Sequence, residues 1–179
     1  MTRAPRRFPP GCCVVGGGGA GSIRRPMSDL LAPGTLEYDA LARLVATSAV
    51  APVEPAQVQP CSIDLRLDGA GFRMPGSVLP RPGEAVAALA AELALERVDC
   101  TQPLVLARHQ TYLLRLREAL ALPSGLEAYA NGKSSTGRVD LAVRVLCDGS
   151  PRFDRIPAGY RGALWLELTP RSFDVVVHA

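Results

Sequence analysis

The segment 131–138, Asn-Gly-Lys-Ser-Ser-Thr-Gly-Arg, has the composition of a phosphate-binding loop. Its eight residues include two glycines, two serines, a threonine, a lysine and an arginine. Open backbone amides and short hydroxyl side chains hydrogen-bond phosphate oxygens, and two cations balance the charge of a phosphate chain. The segment therefore predicts a site for a phosphorylated ligand, with a polar hairpin turn as the alternative interpretation.

A Walker loop fits this segment poorly, although Gly132-Lys-Ser134 has the letters that end such a motif. The first glycine of the motif would stand at position 127, which is Glu127. A Walker loop also joins a strand to a helix, whereas no clear strand precedes the segment and the residues after it alternate like a strand. The pattern disfavours a Walker-type NTPase.

Glu167 is a carboxylate inside the otherwise apolar strand pattern 163–168. Burial in such a strand would raise the pKa of the carboxyl group, which suits a residue that must accept and return a proton near neutral pH. A strand glutamate that faces solvent, or that pairs with an arginine, is the alternative interpretation.

Neither zinc chemistry nor a nucleophilic hydrolase finds support in the sequence. Base deaminases that use zinc need an H-x-E and a P-C-x-x-C motif, but His109 is followed by Gln-Thr, His178 precedes the last residue and no C-x-x-C occurs. No G-x-S-x-G elbow is present either. We expect no metal site, and we expect His109 at the surface, at the end of a strand.

The overall composition is typical of one globular domain. Apolar residues make up 47% of the 179 residues, and the formal net charge is +3. No apolar run reaches the ~18 residues of a membrane span, and residues 27–179 hold 15 basic against 17 acidic residues. We therefore expect neither a membrane nor a nucleic acid as partner. Five cysteines without a C-x-x-C favour a reduced, cytoplasmic protein.

Residues 1–26 differ in composition from the rest of the chain. They hold six of the 17 glycines, four of the 16 prolines and five arginines without an acidic residue. Gly16, Gly18 and Gly21 match the letters of a dinucleotide-binding G-x-G-x-x-G, but the surrounding sequence predicts neither the strand nor the helix that this motif requires. We interpret the segment as a flexible leader or a misassigned start, and place the folded domain at 27–179.

Apolar periodicity predicts two short helices and several strands in this domain. A period near 3.6 predicts helices over 36–47 and 84–96. The glycines and prolines of 69–83 predict loops and turns. Short strands parted by such turns are typical of an antiparallel sandwich or barrel. A period of two predicts the strands 61–67, 104–107, 110–117, 138–147, 163–168 and 173–178.

Three motifs, in this order, resemble those of the dCTP deaminase family. The resemblance covers about Leu31 to Val177, and is more narrowly to the N-terminal half of double-length bacterial 2′-deoxycytidine 5′-triphosphate deaminases. The motifs are Gln59-Pro-Cys-Ser-Ile-Asp-Leu-Arg-Leu67, Gly132-Lys-Ser-Ser-Thr-Gly-Arg138, and Phe153-Asp-Arg-Ile-Pro-Ala-Gly-Tyr-Arg-Gly162 leading into Leu164-Trp-Leu-Glu-Leu168.

This resemblance implies a distorted antiparallel β-barrel of the dUTPase-like (β-clip) type with two short helices. It implies a homotrimer with active sites between subunits, which deaminates dCTP to dUTP and ammonia without zinc and binds Mg²⁺ only through the triphosphate. The family's later strand and its phosphate-closing C-terminal segment have no counterpart before Ala179. We therefore expect a domain that is truncated at its C-terminus and lacks the last strand of the barrel.

The resemblance also implies roles for individual residues. Glu167 falls on the catalytic glutamate, and Ser134 and Arg138 fall on the serine and arginine that support the attacking water and contact the nucleotide. The further substrate-binding positions are Lys133, where the family usually has arginine, the phosphate-binding Ser135, Phe153 with a backbone carbonyl near the water, Arg155 near the base, and Tyr160.

Two alternative functions remain open at this point. In dUTP diphosphatases an aspartate three residues before the tyrosine orients water towards phosphorus, but that position here is Pro157, which disfavours this reaction. The other alternative is a non-catalytic nucleotide-binding or oligomerisation domain with a degenerate site.

Overall fold

The computed structural model describes residues 12–16 and 34–179. Within these residues the chain forms twelve β-strands and three α-helices. The helices are α1 (Tyr38–Ala46), α2 (Val86–Leu93) and α3 (Ser134–Arg138). The strands are β1 (Cys12–Gly16), β2 (Val50–Ala51), β3 (Ser62–Leu65), β4 (Leu67–Met74), β5 (Glu96–Asp99), β6 (Leu104–Leu106), β7 (Thr111–Ala121), β8 (Ala128–Gly132), β9 (Leu141–Cys147), β10 (Arg155–Ile156), β11 (Arg161–Pro170) and β12 (Val175–Val177).

The strands pair antiparallel throughout the described part of the chain. The large sheet has the strand order β5-β4-β7-β11-β9, with β2 added on β7. The second sheet has the order β10-β8-β1-β3, and β12 pairs with β6 separately. The mainly antiparallel β architecture predicted from the sequence is confirmed.

Strand β11 divides its side chains between two apolar clusters. Leu164, Leu166 and Leu168 are buried in the main core, whereas Trp165 packs in a smaller cluster. We call the side of the large sheet with the three leucines the inner face, and the side with Trp165 the outer face. Because successive side chains of a strand point to opposite faces, Glu167 lies on the outer face with Trp165.

Helix α2 covers the outer face. Its Val86 and Ala90, one helical turn apart, are completely buried in the cluster with Met74, Leu113 and Trp165. The helical spacing of the apolar residues therefore serves to close the outer face over the centre of the large sheet. Both predicted helices, 36–47 and 84–96, are present, each shorter at its ends than the periodicity suggests.

The prediction of loops over 69–83 is wrong for its first part, because β4 extends from Leu67 to Met74. Gly71 serves close packing rather than a turn: a Cβ there would lie 2.3 Å from Leu114 Cδ2 and 2.7 Å from the Leu113 carbonyl oxygen. Gly69 has a φ of +95° and lies where the pairing of β4 with β7 shifts register. Gly71 thus lets β4 pack closely against β7, and Gly69 adopts the backbone conformation that the register shift requires.

Strand β1 belongs to the segment 1–26 that the sequence analysis places outside the fold. The structure instead inserts it between β3 and β8, with Cys12 opposite Leu65 on one side and Gly132 on the other. The gap between β3 and β8 offers these five residues backbone hydrogen bonds on both sides, and the start of the folded domain at residue 27 stays a prediction. The remaining positions of 1–26, including Gly18 and Gly21, lie outside the described residues.

The sequence pattern also missed β8 and α3, which flank the phosphate-loop candidate. Strand β8 alternates between buried Ala128 and Ala130 and exposed Tyr129, and alanine gives only a weak hydropathy signal. Helix α3 occupies 134–138, so the following strand begins at Leu141 rather than at 138. In the described part of the chain, no helix is long and apolar enough to cross a membrane.

Candidate active site

The Glu167 carboxylate lies under the loop that follows β4. The Ser77 hydroxyl is 2.8 Å from Glu167 Oε1 and 3.0 Å from Oε2. The Val78 backbone N–H donates a further hydrogen bond to Oε2 at 3.2 Å. Only 7% of Glu167 is exposed, so the carboxylate is held in one place by a hydroxyl and one amide.

Burial raises the pKa of Glu167 above the usual glutamate value of 4.5. The hydrogen bonds from Ser77 and Val78 and the positive charge of Arg144 act against this rise, while Asp154 adds to it. A carboxyl group whose charged form is disfavoured by desolvation can exchange protons closer to neutral pH. The acid–base role predicted for this residue therefore has a physical basis in its surroundings.

Asp154 joins the two sheets beside Glu167. Its carboxylate accepts hydrogen bonds from the Val145 backbone N–H at 2.8 Å and from Arg144 Nη1 at 2.7 Å. Its backbone bonds to Val145 of β9 and to Ala130 of β8. Its φ of +62° is a left-handed conformation that aspartate tolerates better than most residues. This junction fixes Arg144, which lies directly opposite Glu167 on the neighbouring strand.

The segment 131–138 forms a compact loop and the short helix α3. Thr136 is buried, and its hydroxyl donates to the Lys133 carbonyl at 2.6 Å. A Cβ at Gly132 would lie 2.8 Å from Thr136 Oγ1 and 3.3 Å from Val143 Cβ, so glycine permits this close packing. The Lys133 ammonium forms an ion pair with Asp64 of β3. This ion pair ties the segment to β3.

Ser134 and Arg138 are exposed. Within the described residues neither side chain has a hydrogen bond or an ion pair. A Cβ at Gly132 would lie 3.3 Å from Val143 Cβ, so this segment adjoins β9, and Val143 contacts the inner core. Within the described residues no hydrogen bond or ion pair joins Ser134 or Arg138 to Glu167.

The other predicted site residues are divided between the two regions. Ser135 is part of α3 and half-buried. Phe153 packs against the cluster of the outer face, the same side as Glu167. Arg155 is exposed on β10. Tyr160 is 8% exposed, and its hydroxyl donates to the Ala163 carbonyl at 2.7 Å and accepts from the Asp148 N–H at 3.2 Å.

Sequence reasoning missed the residues that surround Glu167 in space. Ser77 and Val78 lie 90 and 89 positions before it in the chain, in the segment predicted to be a loop. Arg144 lies in none of the three motifs, and Asp154 lies in the third motif but was given no role. The one available signal was the strand alternation of 138–147 and 163–168, which could have paired Arg144 with Glu167 had the strand register been known.

In the part of the chain that the structure describes, no three His, Cys, Asp or Glu side chains are grouped to hold a metal ion. His109 is exposed in the turn between β6 and β7, as predicted from the sequence. Cys61, Cys100 and Cys147 are free thiols.

Two known proteins are similar to this chain over most of its length. A curated protein of Methanoculleus marisnigri, "dCTP deaminase, dUMP-forming", is 34% identical over 123 residues, which is 66% of this chain and 59% of that protein. The crystal structure of 2′-deoxycytidine 5′-triphosphate deaminase from Agrobacterium tumefaciens matches with a TM-score of 0.76 and 42% identity, over 80% of this chain and 44% of that chain. This chain therefore spans 59% and 44% of the lengths of these two relatives.

The structural match confirms the dUTPase-like fold that the resemblance implied. The family model for the 2′-deoxycytidine 5′-triphosphate deaminase N-terminal domain covers residues 32–179. This range includes β3 and every candidate site residue named above. The chain belongs to the dCTP deaminase family, as an N-terminal domain of that family.

Proposed function

We propose that this chain catalyses the hydrolytic removal of the cytosine amine from dCTP, which gives dUTP and ammonia. The observation that carries the proposal is the buried Glu167 carboxylate, whose pKa is raised by desolvation, in a chain of this family. Both relatives described above are named as dCTP deaminases. Glu167 also occupies the position that the resemblance assigns to the catalytic glutamate.

One carboxylate can move every proton that the reaction requires. Glu167 takes a proton from water as the water oxygen bonds to cytosine C4, and passes this proton to ring N3. It then takes the proton of the new hydroxyl group and passes it to the amine. The C4–N bond breaks, ammonia leaves and the C4 carbonyl of uracil forms. Atoms and charge balance with water as the only co-reactant.

We propose that Ser134 and Arg138 support the attacking water from a neighbouring copy of the chain. These two side chains are exposed and make no hydrogen bond or ion pair within the described part of one protomer, and no hydrogen bond joins either of them to Glu167 there. A cyclic homotrimer would place this surface of each copy against the next. Hydrogen bonds and positive charge from this pair would stabilise the charge that develops at the water oxygen.

The phosphate chain belongs, in this proposal, to the loop 131–138. Lys133 and Ser135 supply a cation and a hydroxyl group there, and Arg155 and Phe153 lie near the base. Mg²⁺ enters with the triphosphate as part of the substrate. We place the reaction in the cytoplasm, without zinc and without a nucleic-acid or membrane partner. Binding energy from the phosphate loop would orient the distant base for attack.

The direct test measures ammonia release from dCTP by the full 179-residue chain, with Glu167→Gln as the matched variant. We expect release by the parent chain and none by the variant, while both bind dCTP in isothermal titration calorimetry. Heat of binding without ammonia from the parent chain would instead identify a non-catalytic nucleotide-binding domain. Equal turnover by the two chains would contradict the role of Glu167.

Mixing two inactive variants tests the shared site. Glu167→Gln and Arg138→Ala remove different halves of the site, so neither variant alone should release ammonia. When the two are unfolded, mixed in equal amounts and refolded together, random assembly should restore about a quarter of the parent rate, because some sites receive both intact halves. No recovery in the mixed oligomer would contradict a site between copies.

Release of pyrophosphate from dUTP is a second candidate, favoured by the name of the Methanoculleus marisnigri relative, "dCTP deaminase, dUMP-forming". Against it, Pro157 occupies the position of the aspartate that orients water in diphosphatases, and proline has no side-chain oxygen for that purpose. We therefore expect dUTP, not dUMP, as the nucleotide product. Chromatography of the products from dCTP separates the two outcomes.

A further inference from the structure

Ser77 is the side chain in closest contact with the proposed acid–base carboxylate. It lies in the loop between β4 and α2, and its hydroxyl spans both oxygens of Glu167, at 2.8 Å and 3.0 Å. Neither the sequence motifs nor the resemblance singles out this serine. Its hydroxyl is the only neutral side-chain donor that reaches Glu167 within the described residues.

We propose that Ser77 is a positioning residue of the deamination reaction, which holds the Glu167 carboxylate in one orientation and leaves Oε1 as the oxygen that carries the proton. This inference rests on the proposed function. It extends that function by adding a residue from a segment 90 positions away in the chain.

The donors around the carboxylate distinguish its two oxygens. Oε2 lies within hydrogen-bond distance of the Val78 N–H at 3.2 Å and of the Ser77 hydroxyl at 3.0 Å, whereas Oε1 has only the Ser77 hydroxyl. An amide N–H can only donate, so Oε2 remains an acceptor throughout the reaction. Oε1 has one donor within reach and Oε2 has two. Oε1 is therefore the oxygen that has a lone pair available for the proton of water.

The hydroxyl group of serine suits both protonation states of Glu167. While the carboxylate is charged, Ser77 donates to it and lowers the cost of burial. When Oε1 takes the proton from water, the hydroxyl can turn to donate to Oε2 alone, since hydroxyl hydrogens rotate to suit their partners. The proton on Oε1 then has one destination, the substrate, first at N3 and then at the leaving amine.

The charged groups that act on Glu167 lie on other elements. Arg144, on β9, lowers the pKa of the carboxyl, and Asp154, after β9, raises it. The loop after β4 contributes only the Ser77 hydroxyl and the Val78 N–H. Removal of the Ser77 hydroxyl therefore removes a hydrogen bond that lowers the pKa of Glu167. It changes no charge and leaves Arg144 and Asp154 in place.

The experiment compares Ser77→Ala and Ser77→Thr with the parent chain, and Ser124→Ala serves as a control. Ser77 is exposed at the surface, so its loss should leave the melting temperature within about 2 °C of the parent. Ser124 is also exposed, and within the described residues it makes no side-chain hydrogen bond. Kinetics with dCTP are combined with NMR titration of ¹³C-labelled glutamate carboxyl groups, in which Glu167→Gln identifies the Glu167 signal.

For Ser77→Ala we expect kcat to fall about 10- to 100-fold with KM within about 2-fold, because orientation and proton transfer are impaired rather than binding. The Glu167 signal should titrate at higher pH than in the parent. Ser77→Thr should restore most of the rate, and Ser124→Ala should match the parent in both measurements. A purely structural role would lower the melting temperature and leave the Glu167 titration where it is.

Two results would overturn this inference. One is a parent-like kcat in Ser77→Ala from a parent chain that deaminates dCTP, which would leave the proposed function standing. The other is an unchanged Glu167 titration in Ser77→Ala, which can be read even from a chain that turns nothing over. Failure of the proposed function itself would instead appear in the parent chain, as binding of dCTP without ammonia release.

Discussion

Two buried glutamates on neighbouring strands of one sheet have very different surroundings. Glu118 on β7 is completely buried, and Glu167 on β11 is 7% exposed. Glu118 is matched by a positively charged partner and several donors, whereas Glu167 has one hydroxyl group and one amide. Burial alone therefore does not separate a structural acid from a reactive one.

Glu118 has a full set of partners. Its Oε1 accepts from Gln57 Nε2 at 2.8 Å and from Arg66 Nε at 3.2 Å, and its Oε2 accepts from the Arg66 backbone N–H at 2.8 Å. Gln57 Nε2 also donates to the Asp64 carbonyl at 2.6 Å. The carboxylate thus ties β7 to the turn between β3 and β4, close to the strand that carries Asp64, the partner of Lys133.

Glu167 has fewer hydrogen-bond donors and no directly bound arginine among the described residues to offset the burial of its charge. The nearest cation is Arg144, whose side chain is 59% exposed and is bound to Asp154 at 2.7 Å. An acid that is buried without a dedicated cation keeps a raised pKa, and perturbed acids of this kind are concentrated at functional sites. The comparison teaches that Glu118 has partners that offset the burial of its charge, whereas Glu167 is buried with fewer of them, in keeping with the acid–base role proposed for it.

The largest expected effect separates the two glutamates by activity. Glu167→Gln should lower kcat for dCTP deamination at least about 1,000-fold, because the amide cannot accept a proton from water. The melting temperature should stay equal to that of the parent or rise, since an uncompensated buried charge is removed. Ammonia release and thermal unfolding of the same samples check both parts. A variant that unfolds instead would place Glu167 with Glu118 as a structural residue.

The second effect is on stability. Glu118→Ala should lower the free energy of unfolding by about 3 kcal/mol, because the Gln57 amide and the Arg66 N–H lose their buried acceptor. Glu92→Ala, which removes an exposed acid from α2, is the control and should change it by less than about 0.5 kcal/mol. Urea unfolding measures both. A small loss for Glu118→Ala would show that the network contributes little to the fold.

The third effect is the pH dependence that the raised pKa of Glu167 produces. Because this carboxyl is easier to protonate in the folded than in the unfolded chain, the stability it contributes is present below its ordinary pKa and is lost as pH rises through the folded value. The rate of deamination should instead increase as the pH rises through the same range, because Glu167 can act as a base only when it is ionised. Glu167→Gln should reduce the slope of stability against pH above the ordinary glutamate pKa of 4.5, measured by urea unfolding.

The smallest effect tests Arg144, the cation that acts on Glu167 among the described residues. Arg144→Leu should raise the pKa of Glu167 further, because it removes a positive charge that lowers it, but only slightly, since the guanidinium is largely exposed and screened by solvent. The acid limb of the deamination pH profile should move to higher pH by the same amount. Arg152→Leu removes an exposed arginine elsewhere in the 148–154 segment and should leave the limb in place. An identical shift in both variants would indicate a general charge effect.

Local patterns in the sequence predicted the elements that carry strong apolar periodicity. Strand β11 and helix α2 were predicted because leucine and alanine repeat at the spacing of a strand or a helix. Strand β4 was not, because Gly69 and Gly71 look like turn residues until the packing of Gly71 on Leu114 is known. A residue type can indicate either a turn or a close contact, and only the neighbours in space distinguish them.

The sequence by itself determined that Glu167 would lie in an apolar strand and that 131–138 would be a polar segment, since both follow from residues adjacent in the chain. The tertiary structure decided which groups surround that acid. Ser77 reaches it from 90 residues away, and Arg144 lies opposite it through strand register. Such contacts depend on how distant segments pack, and local periodicity does not encode the register or the side on which two segments meet.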